Sequence, residues 1–156
     1  MTAASPSPVS GALPRRVRHR VYAYITHGRR LLVFRHVHFP DAGVQVPGGG
    51  IEPGEEPALA ALREAREETG LTQLQMVSFI ARDEFDLSAY GEDELLHRWF
   101  FHLRYPGEWR ETWRHAETSG GKTEPIWFEF FWEDLRDGVS ALRESDRDYL
   151  SRLSLS

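Results

Sequence analysis

The junction between a glycine-rich turn and a helix constrains this chain more than any other stretch. Residues 47–57 read Pro-Gly-Gly-Gly-Ile-Glu-Pro-Gly-Glu-Glu-Pro, a loop by composition, and Pro57 is suited to open a helix because its missing N–H is one the first turn does not use. The spacing predicts that helix over residues 57–69, with Gly70 placed to end it in a left-handed conformation. Three consecutive glycines, Gly48, Gly49 and Gly50, lose much conformational freedom on folding. What they provide in return is close backbone approach where a Cβ would collide. By itself a triple glycine is more often a flexible loop than a site.

At 100° per residue the predicted helix separates by chemistry. Ala58, Leu62, Ala65 and Thr69, flanked by Leu59, fall on one arc, and Glu64, Glu67 and Glu68 on the opposite one. An amphipathic helix with a solvated acidic face would account for that pattern. Two effects count against it. Glu64 lies three and four residues from Glu67 and Glu68, so the carboxylates are about 5–6 Å apart. At an effective dielectric constant of about 20, each pair repels by roughly 3 kcal/mol before salt and solvent reduce it. All three also lie in the last two turns, where the helix dipole is already negative, which costs about 0.3–1 kcal/mol for each exposed charge. A hard divalent cation reverses the sign of both effects, and Mg²⁺ takes oxygen ligands together with water and substrate phosphates.

Composition narrows the chemistry. The 156 residues suffice for one domain with a core, 40% are apolar and 28% charged, and there is no cysteine, which excludes disulfides, thiolate zinc sites and a thiol nucleophile. Net charge is −5, yet seven arginines and no carboxylate precede Asp41. A net-acidic chain is poorly suited to neutralising duplex DNA phosphates, whereas a small phosphorylated ligand fits between a basic strand region and a metal-loaded acidic helix. No apolar run reaches the roughly 20 residues that span a bilayer, and residues 1–14 lack the apolar stretch of a secretory signal. The expectation is a cytoplasmic protein with no membrane partner, in which residues 1–14 form a flexible tail and residues 15–156 a single domain.

Around the helix the pattern is that of strands. Residues 17–26 and 30–37 form a hairpin about His27-Gly28-Arg29, and a short apolar piece at 44–46 precedes the glycines. Residues 74–82, 95–105 and 126–132 are dense in apolar and aromatic residues: Leu95, His97, Trp99, Phe101 and Leu103 share one face, and Ile126, Phe128, Phe130 and Trp132 another. Residues 106–125 read as a long polar connection. A last helix is predicted near Ser145, with a Ser145 to Asp148 capping box and with Tyr149, Leu150 and Leu153 turned to the body. Strands on either side of a central helix indicate a mixed, layered α/β fold.

These residues resemble the Nudix hydrolases. The family's box is met at Gly49, Glu55, Arg63, Glu64, Ala65, Glu67, Glu68, Gly70 and Leu71, nine positions over 23 residues, with Ala65 smaller than the usual branched aliphatic. The resemblance implies an α/β/α sandwich with a mixed sheet. It also implies hydrolysis by water of a phosphoanhydride in a nucleoside diphosphate linked to another group, such as an NTP or dNTP, a nucleotide sugar or a dinucleoside polyphosphate. By the family pattern Glu64, Glu67 and Glu68 would hold Mg²⁺ or Mn²⁺, with the backbone of Gly48 or Gly49 as a further ligand. Arg63 would orient the carboxylates, and Glu55 would support the loop. Glu64 is the first choice to activate water, with Glu111, Glu117 and Glu124 as alternatives.

Substrate contacts are expected from Arg35, Gly49 and Gly50, and Tyr24, Phe39, Trp99 or Trp127 could stack on a base, although core packing explains each aromatic more simply. Tyr90 stands where the family's dinucleoside polyphosphate hydrolases tend to have a tyrosine, at imperfect spacing; the proline typical of its ADP-ribose hydrolases is missing. His36 and His38 near the box need no metal to explain them. The rival readings are a nucleotide or ADP-ribose binding module without turnover, weakened because the box carboxylates are all present, and a hydrolase of RNA 5′ ends. Family members are often homodimers.

Overall fold

The computed structural model describes residues 15–118, 124–137, 139 and 141–155; the expected tail at residues 1–14 lies outside them. Seven strands form one mixed sheet: β1 (Arg16–His27), β2 (Arg30–His36), β3 (Gly48–Gly50), β4 (Gln75–Asp86), β5 (Glu94–Arg104), β6 (Trp113–Glu117) and β7 (Ile126–Asp134). Their spatial order is β4-β5-β1-β2-β7-β6, with β3 joined to β1 beside that path. β1 and β5 run parallel from Arg16–Glu94 to Thr26–Arg104, and the other pairings are antiparallel. The β1–β2 hairpin turns at Gly28, φ 61°, with His27 paired to Arg30. A two-residue loop that begins with glycine at positive φ matches the right-handed twist of the strands.

β1 changes neighbour along its length. At its hairpin end it pairs with β2, whereas Arg20, Val21 and Tyr22 pair with Gly50, Gly49 and Gly48. β2 turns instead to Gln45, whose N–H and C=O both bond Phe34. The glycine strand thus forms a wedge between β1 and β2 and opens the cleft described below.

Both faces of the sheet are covered, which explains why the central strands read as continuous apolar runs rather than alternating ones. On one face Val21, Ala23, Ile25, Leu32 and Phe34 pack with Phe101, Leu103, Phe128 and Phe130 under α1 (Pro57–Thr69), so the apolar faces predicted for β5 and β7 serve the same core. On the other, Tyr22, Tyr24, Leu31, Val33, Val46 and Phe100 pack beneath the C-terminal segment, including Leu142, Tyr149, Leu150 and Leu153. This is an α/β/α sandwich whose third layer is thin.

Three expectations are corrected. The last helix is only one turn, α2 (Glu144–Arg147), followed by a 3-10 turn at Leu150–Arg152. Its N-cap is Arg143 with no side-chain cap, so the Ser145 to Asp148 box does not form. The chain there is held by longer-range contacts instead: the fully buried Asp146 carboxylate accepts from Val46 N–H (2.9 Å) and Arg143 (2.8 Å), and Tyr24 hydroxyl donates to Asp146 C=O (2.9 Å). The connection at 106–125 contains a strand, β6, paired from Trp113–Phe130 to Glu117–Ile126. Leu59 does not flank a buried face but is exposed, while Ala60 and Ala61 are buried.

Asp146 ties the C-terminal layer to the segment that leads into the glycines. Asp146→Ala leaves the Val46 N–H buried without an acceptor, which should lower the unfolding free energy by about 1–3 kcal/mol. A urea titration is expected to show an earlier midpoint with an unchanged slope.

Candidate active site

α1 begins and ends where its local signals place it. Pro57 occupies the first turn, and Gly70 adopts φ 79°, ψ 0° with its N–H bonded to Arg66 C=O. The last carbonyls are capped from a distance: Trp113 Nε1 donates to Thr69 C=O (2.8 Å) and His115 Nε2 lies 3.0 Å from Glu67 C=O. β6 is therefore fastened to the end of the helix, and this fixes Glu117 near the helix carboxylates.

Glu64 and Glu68 are not on a solvated arc. They are 9% and 5% exposed, inside the buried surface formed by Ala60, Ala61, Ala65 and Thr69, and only Glu67 is open to solvent. The small alanines bring the helix backbone close to β3, and the two carboxylates fill the seam between them. A Cβ on Gly49 would lie 2.0 Å from Glu64 Oε2, and one on Gly48 would lie 2.6 Å from Val21 C=O. Gly50 has open space around its Cβ position, so only two of the three glycines are sterically required.

Arg63 organises the cluster. Its Nε and Nη2 each donate to Glu55 at 2.8 Å, a bidentate pair, while Nη1 reaches Glu64 (2.8 Å) and Glu67 (3.3 Å) and Nη2 also bonds Gly50 C=O (3.0 Å). Glu55 in turn accepts from Glu52 N–H at 3.0 Å. Hydrogen bonds from Arg63, then from Glu52 N–H, hold the Glu55 carboxyl down at about 2. Burial pushes Glu64 up, opposed by Arg63 and reinforced by Glu67 and Glu117. Glu68 is pushed well above the usual carboxylate range, first by burial and then by Glu117, although Gly48 N–H donates to it at 3.3 Å and Arg20 favours its charge.

Among the described residues no three carboxylate or imidazole groups stand gathered around one point ready to hold an ion. Arg63 draws Glu64 and Glu67 toward itself, and Glu68 turns to Gly48. Even so, the donor set suits a hard cation: all-oxygen, anionic, and short of compensating positive charge at Glu68.

The site opens into a cleft of about 380 Å³. Its lining includes Gly48, Glu68 and Glu117 together with Arg18, Arg20, Arg98 and Arg143, and Tyr22, Phe34 and Phe128, whereas Glu64 and Glu67 are not part of it. The expected Arg35 is not among these residues. Its guanidinium stands 4.5 Å over the Phe131 ring and 3.7 Å from Glu129, on the sheet face away from α1. Tyr24 is core, Trp99 is half-buried, Glu111 is exposed, and Tyr90 is exposed and stacked on Phe85. Phe39, Trp127, His38 and Glu124 form a neighbouring pocket with His36. Gly50 serves through its carbonyl, which Arg63 occupies. Arg98 and Arg143, which line the cleft, were not anticipated; a clue to Arg98 was an arginine inside an aromatic strand, at the position that pairs with Asp83.

The structure-bearing sequence falls into a recognised class. The family model for the NUDIX domain matches residues 15–151, and the chain belongs to the Nudix family. Diphosphoinositol polyphosphate phosphohydrolase 2 of Rattus norvegicus is 32% identical over 118 residues, 75% of this chain and 58% of that protein, so the match spans less than two thirds of the relative's length. Nudix hydrolase 27 of Arabidopsis thaliana is 35% identical over 72 residues, 46% of this chain and 31% of that protein. A MutT Nudix hydrolase from Burkholderia pseudomallei superimposes with a TM-score of 0.58 at 21% identity, covering 89% of this chain and 99% of the other, which shows the shared fold. No helix among the described residues is long and apolar enough to cross a membrane.

The raised Glu68 gives a pH dependence of defined sign. In the metal-free protein the folded state holds this proton more tightly than the unfolded chain, so the contribution of this group to stability is fully present below the ordinary carboxylate range and is lost as pH rises through the folded value. Glu68→Gln should shrink that decline, leaving the part due to Glu64: urea midpoints measured across the acid-to-alkaline range should differ less than in the parent, with the variant more stable than the parent at the alkaline end.

Proposed function

We propose that this chain is a divalent-cation-dependent hydrolase that cleaves a phosphoanhydride bond in a small diphosphate-containing substrate, a nucleoside diphosphate linked to a further group. The observation that carries the reading is the pair of buried carboxylates, Glu64 and Glu68, set against the Gly48–Gly49 backbone, with Glu68 and Gly48 lining a cleft that Arg18, Arg20, Arg98 and Arg143 also line. Such burial is unfavourable for an isolated anion and becomes favourable beside a cation. The names of the relatives, phosphohydrolases and Nudix hydrolases, support the same class of chemistry.

Glu64, Glu67 and Glu68, with the backbone of Gly48, would hold Mg²⁺ or Mn²⁺. Bound there, the ion supplies polarisation of phosphoryl oxygens, a lowered pKa for water and stabilisation of charge on the leaving oxygen. The chain's own groups do the rest. Arg63, fixed by its two bonds to Glu55, keeps Glu64 pointed at the seam. Glu64, its carboxyl pushed up by burial and so made a better proton acceptor, takes the proton of the attacking water. Glu67 and Glu117, the latter brought alongside by β6, are near enough to influence that transfer. Arg20, in the lining of the same cleft, would meet phosphate oxygens.

Purified protein offered NTPs, dNTPs, nucleotide sugars, dinucleoside polyphosphates and a diphosphoinositol polyphosphate should release phosphorylated products only when Mg²⁺ or Mn²⁺ is present. Glu64→Gln is expected to lower kcat by about 10²–10⁴-fold, the range for a positioned general base, with little change in the unfolding midpoint. Saturable nucleotide binding without turnover across the panel would instead assign the chain as a binding module.

A further inference from the structure

We infer that a second anion site lies at the hairpin end of the sheet, away from the cleft: a pocket bounded by Arg29, Arg30 and Arg136 that takes a compact ligand carrying two or more linked phosphate groups. The pocket has a volume of about 420 Å³ and shares no lining residue with the cleft. Tyr22 lines the cleft, and His27 lines this pocket five residues further along β1, roughly 17 Å of extended chain. The inference is independent of the hydrolase reading. Three segments build the walls: the hairpin turn from His27 to Arg30, the end of β7 at Asp134 followed by Arg136, and Trp109 in the connection between β5 and β6. Backbone bonds fix the first two against each other, since Leu135 N–H donates to Arg29 C=O (2.9 Å) and Arg30 pairs with Asp134 in the β2–β7 ladder.

Uncompensated charge is what calls for a ligand here. The chain has 24 aspartates and glutamates, all of them among the described residues, yet none forms a salt bridge with Arg29, Arg30 or Arg136. The side chains of Arg29 and Arg136 make no hydrogen bond among the described residues. Asp134, the carboxylate in the lining, accepts instead from the Arg136 backbone N–H at 2.8 Å. Like charges gathered in one concavity repel, and an anion between them turns that repulsion into attraction. Arg30 is already positioned for one. Its guanidinium stands 4.9 Å from the Trp109 ring centre, and Trp109 stacks on Trp132 at 5.3 Å, whose Nε1 donates to Arg110 C=O (2.7 Å). A guanidinium laid over an indole keeps its N–H edge free to fork onto two oxygens and loses less freedom in doing so. Each terminal phosphate brings about 1.5–2 negative charges and three acceptor oxygens, against one charge and two oxygens for a carboxylate. Three guanidinium forks in so small a space match linked phosphates better than an acidic side chain.

The test is an NMR titration of ¹⁵N-labelled protein in EDTA, so that no metal-dependent turnover intervenes. The salt is about 0.15 M, where surface attraction is screened beyond roughly 8 Å. Pyrophosphate and ADP offer the diphosphate group as a free anion and as part of a nucleotide; sulfate at equal ionic strength and an oligoglutamate peptide are the controls. Pyrophosphate should move the Gly28 and Arg29 amides and the Trp109 indole N–H to saturation, and sulfate should not. Arg29→Ala and Arg136→Ala should each weaken that binding about 5- to 50-fold, the loss of one charge-assisted fork, with Arg136→Lys losing less than Arg136→Ala. ADP moving the same signals at lower concentration than pyrophosphate assigns the group to a nucleotide, and the reverse order assigns it to the inorganic anion. All three arginines are exposed, so an unchanged unfolding midpoint shows that each variant is folded. Shifts confined to Gly48–Gly50, shifts that do not saturate, affinities within twofold of the parent in both alanine variants, or tighter binding of the peptide would overturn the inference. Failure of metal-dependent hydrolysis would leave it standing.

Discussion

Burial of two carboxylates in the seam between a helix and a glycine strand is the constraint on which this structure turns. Neither Glu64 nor Glu68 can be solvated there, and both face the charge of Glu117. The protein offsets part of that cost with Arg63 at Glu64 and with a single backbone N–H at Glu68. The helix lies close enough to create the seam because its inner face is built of alanine, and Gly49 is the position where any side chain would displace the Glu64 carboxylate. Ala65, the soft departure from the family pattern, belongs to that close approach.

The support around the seam is arranged in two arms. On one side Glu55 grips Arg63 bidentately, so the guanidinium approaches the carboxylates with its orientation already fixed, which reduces the entropy lost on forming each further bond. On the other side β6 caps the helix end with Trp113 and His115 and brings Glu117 alongside. Behind the glycines, Asp146 holds Val46 and Arg143, so that the cleft wall and the entry to β3 share one buried anchor. The fold positions a charged site by making its neighbours depend on each other.

What was legible in the sequence was what short-range chemistry decides. The limits of α1 follow from Pro57 and Gly70, the hairpin from Gly28, and the box from residue spacing alone. What escaped was decided by pairing between distant segments. β6 carries no strong periodicity in Trp113–Glu117 and is a strand because β7 lies beside it. The helical wheel alone sets Leu59 beside the buried arc and the three glutamates opposite it, whereas packing against β3 leaves Leu59 outside and takes Glu64 and Glu68 inside. Asp146 and Arg98 are polar residues whose partners lie far along the chain, and Arg35 shows the reverse, an arginine near the box in sequence that projects from the other face of the sheet.

The most direct measurement is a calorimetric titration of Mg²⁺ or Mn²⁺ into the protein near neutral pH, repeated in buffers of different ionisation enthalpy. A carboxyl whose proton is held more tightly by burial gives that proton up more readily when a cation takes its place. The account predicts saturable binding with net proton release, and loss of both in Glu68→Gln. Binding with no proton exchange, or equal affinity in the variant, would contradict it.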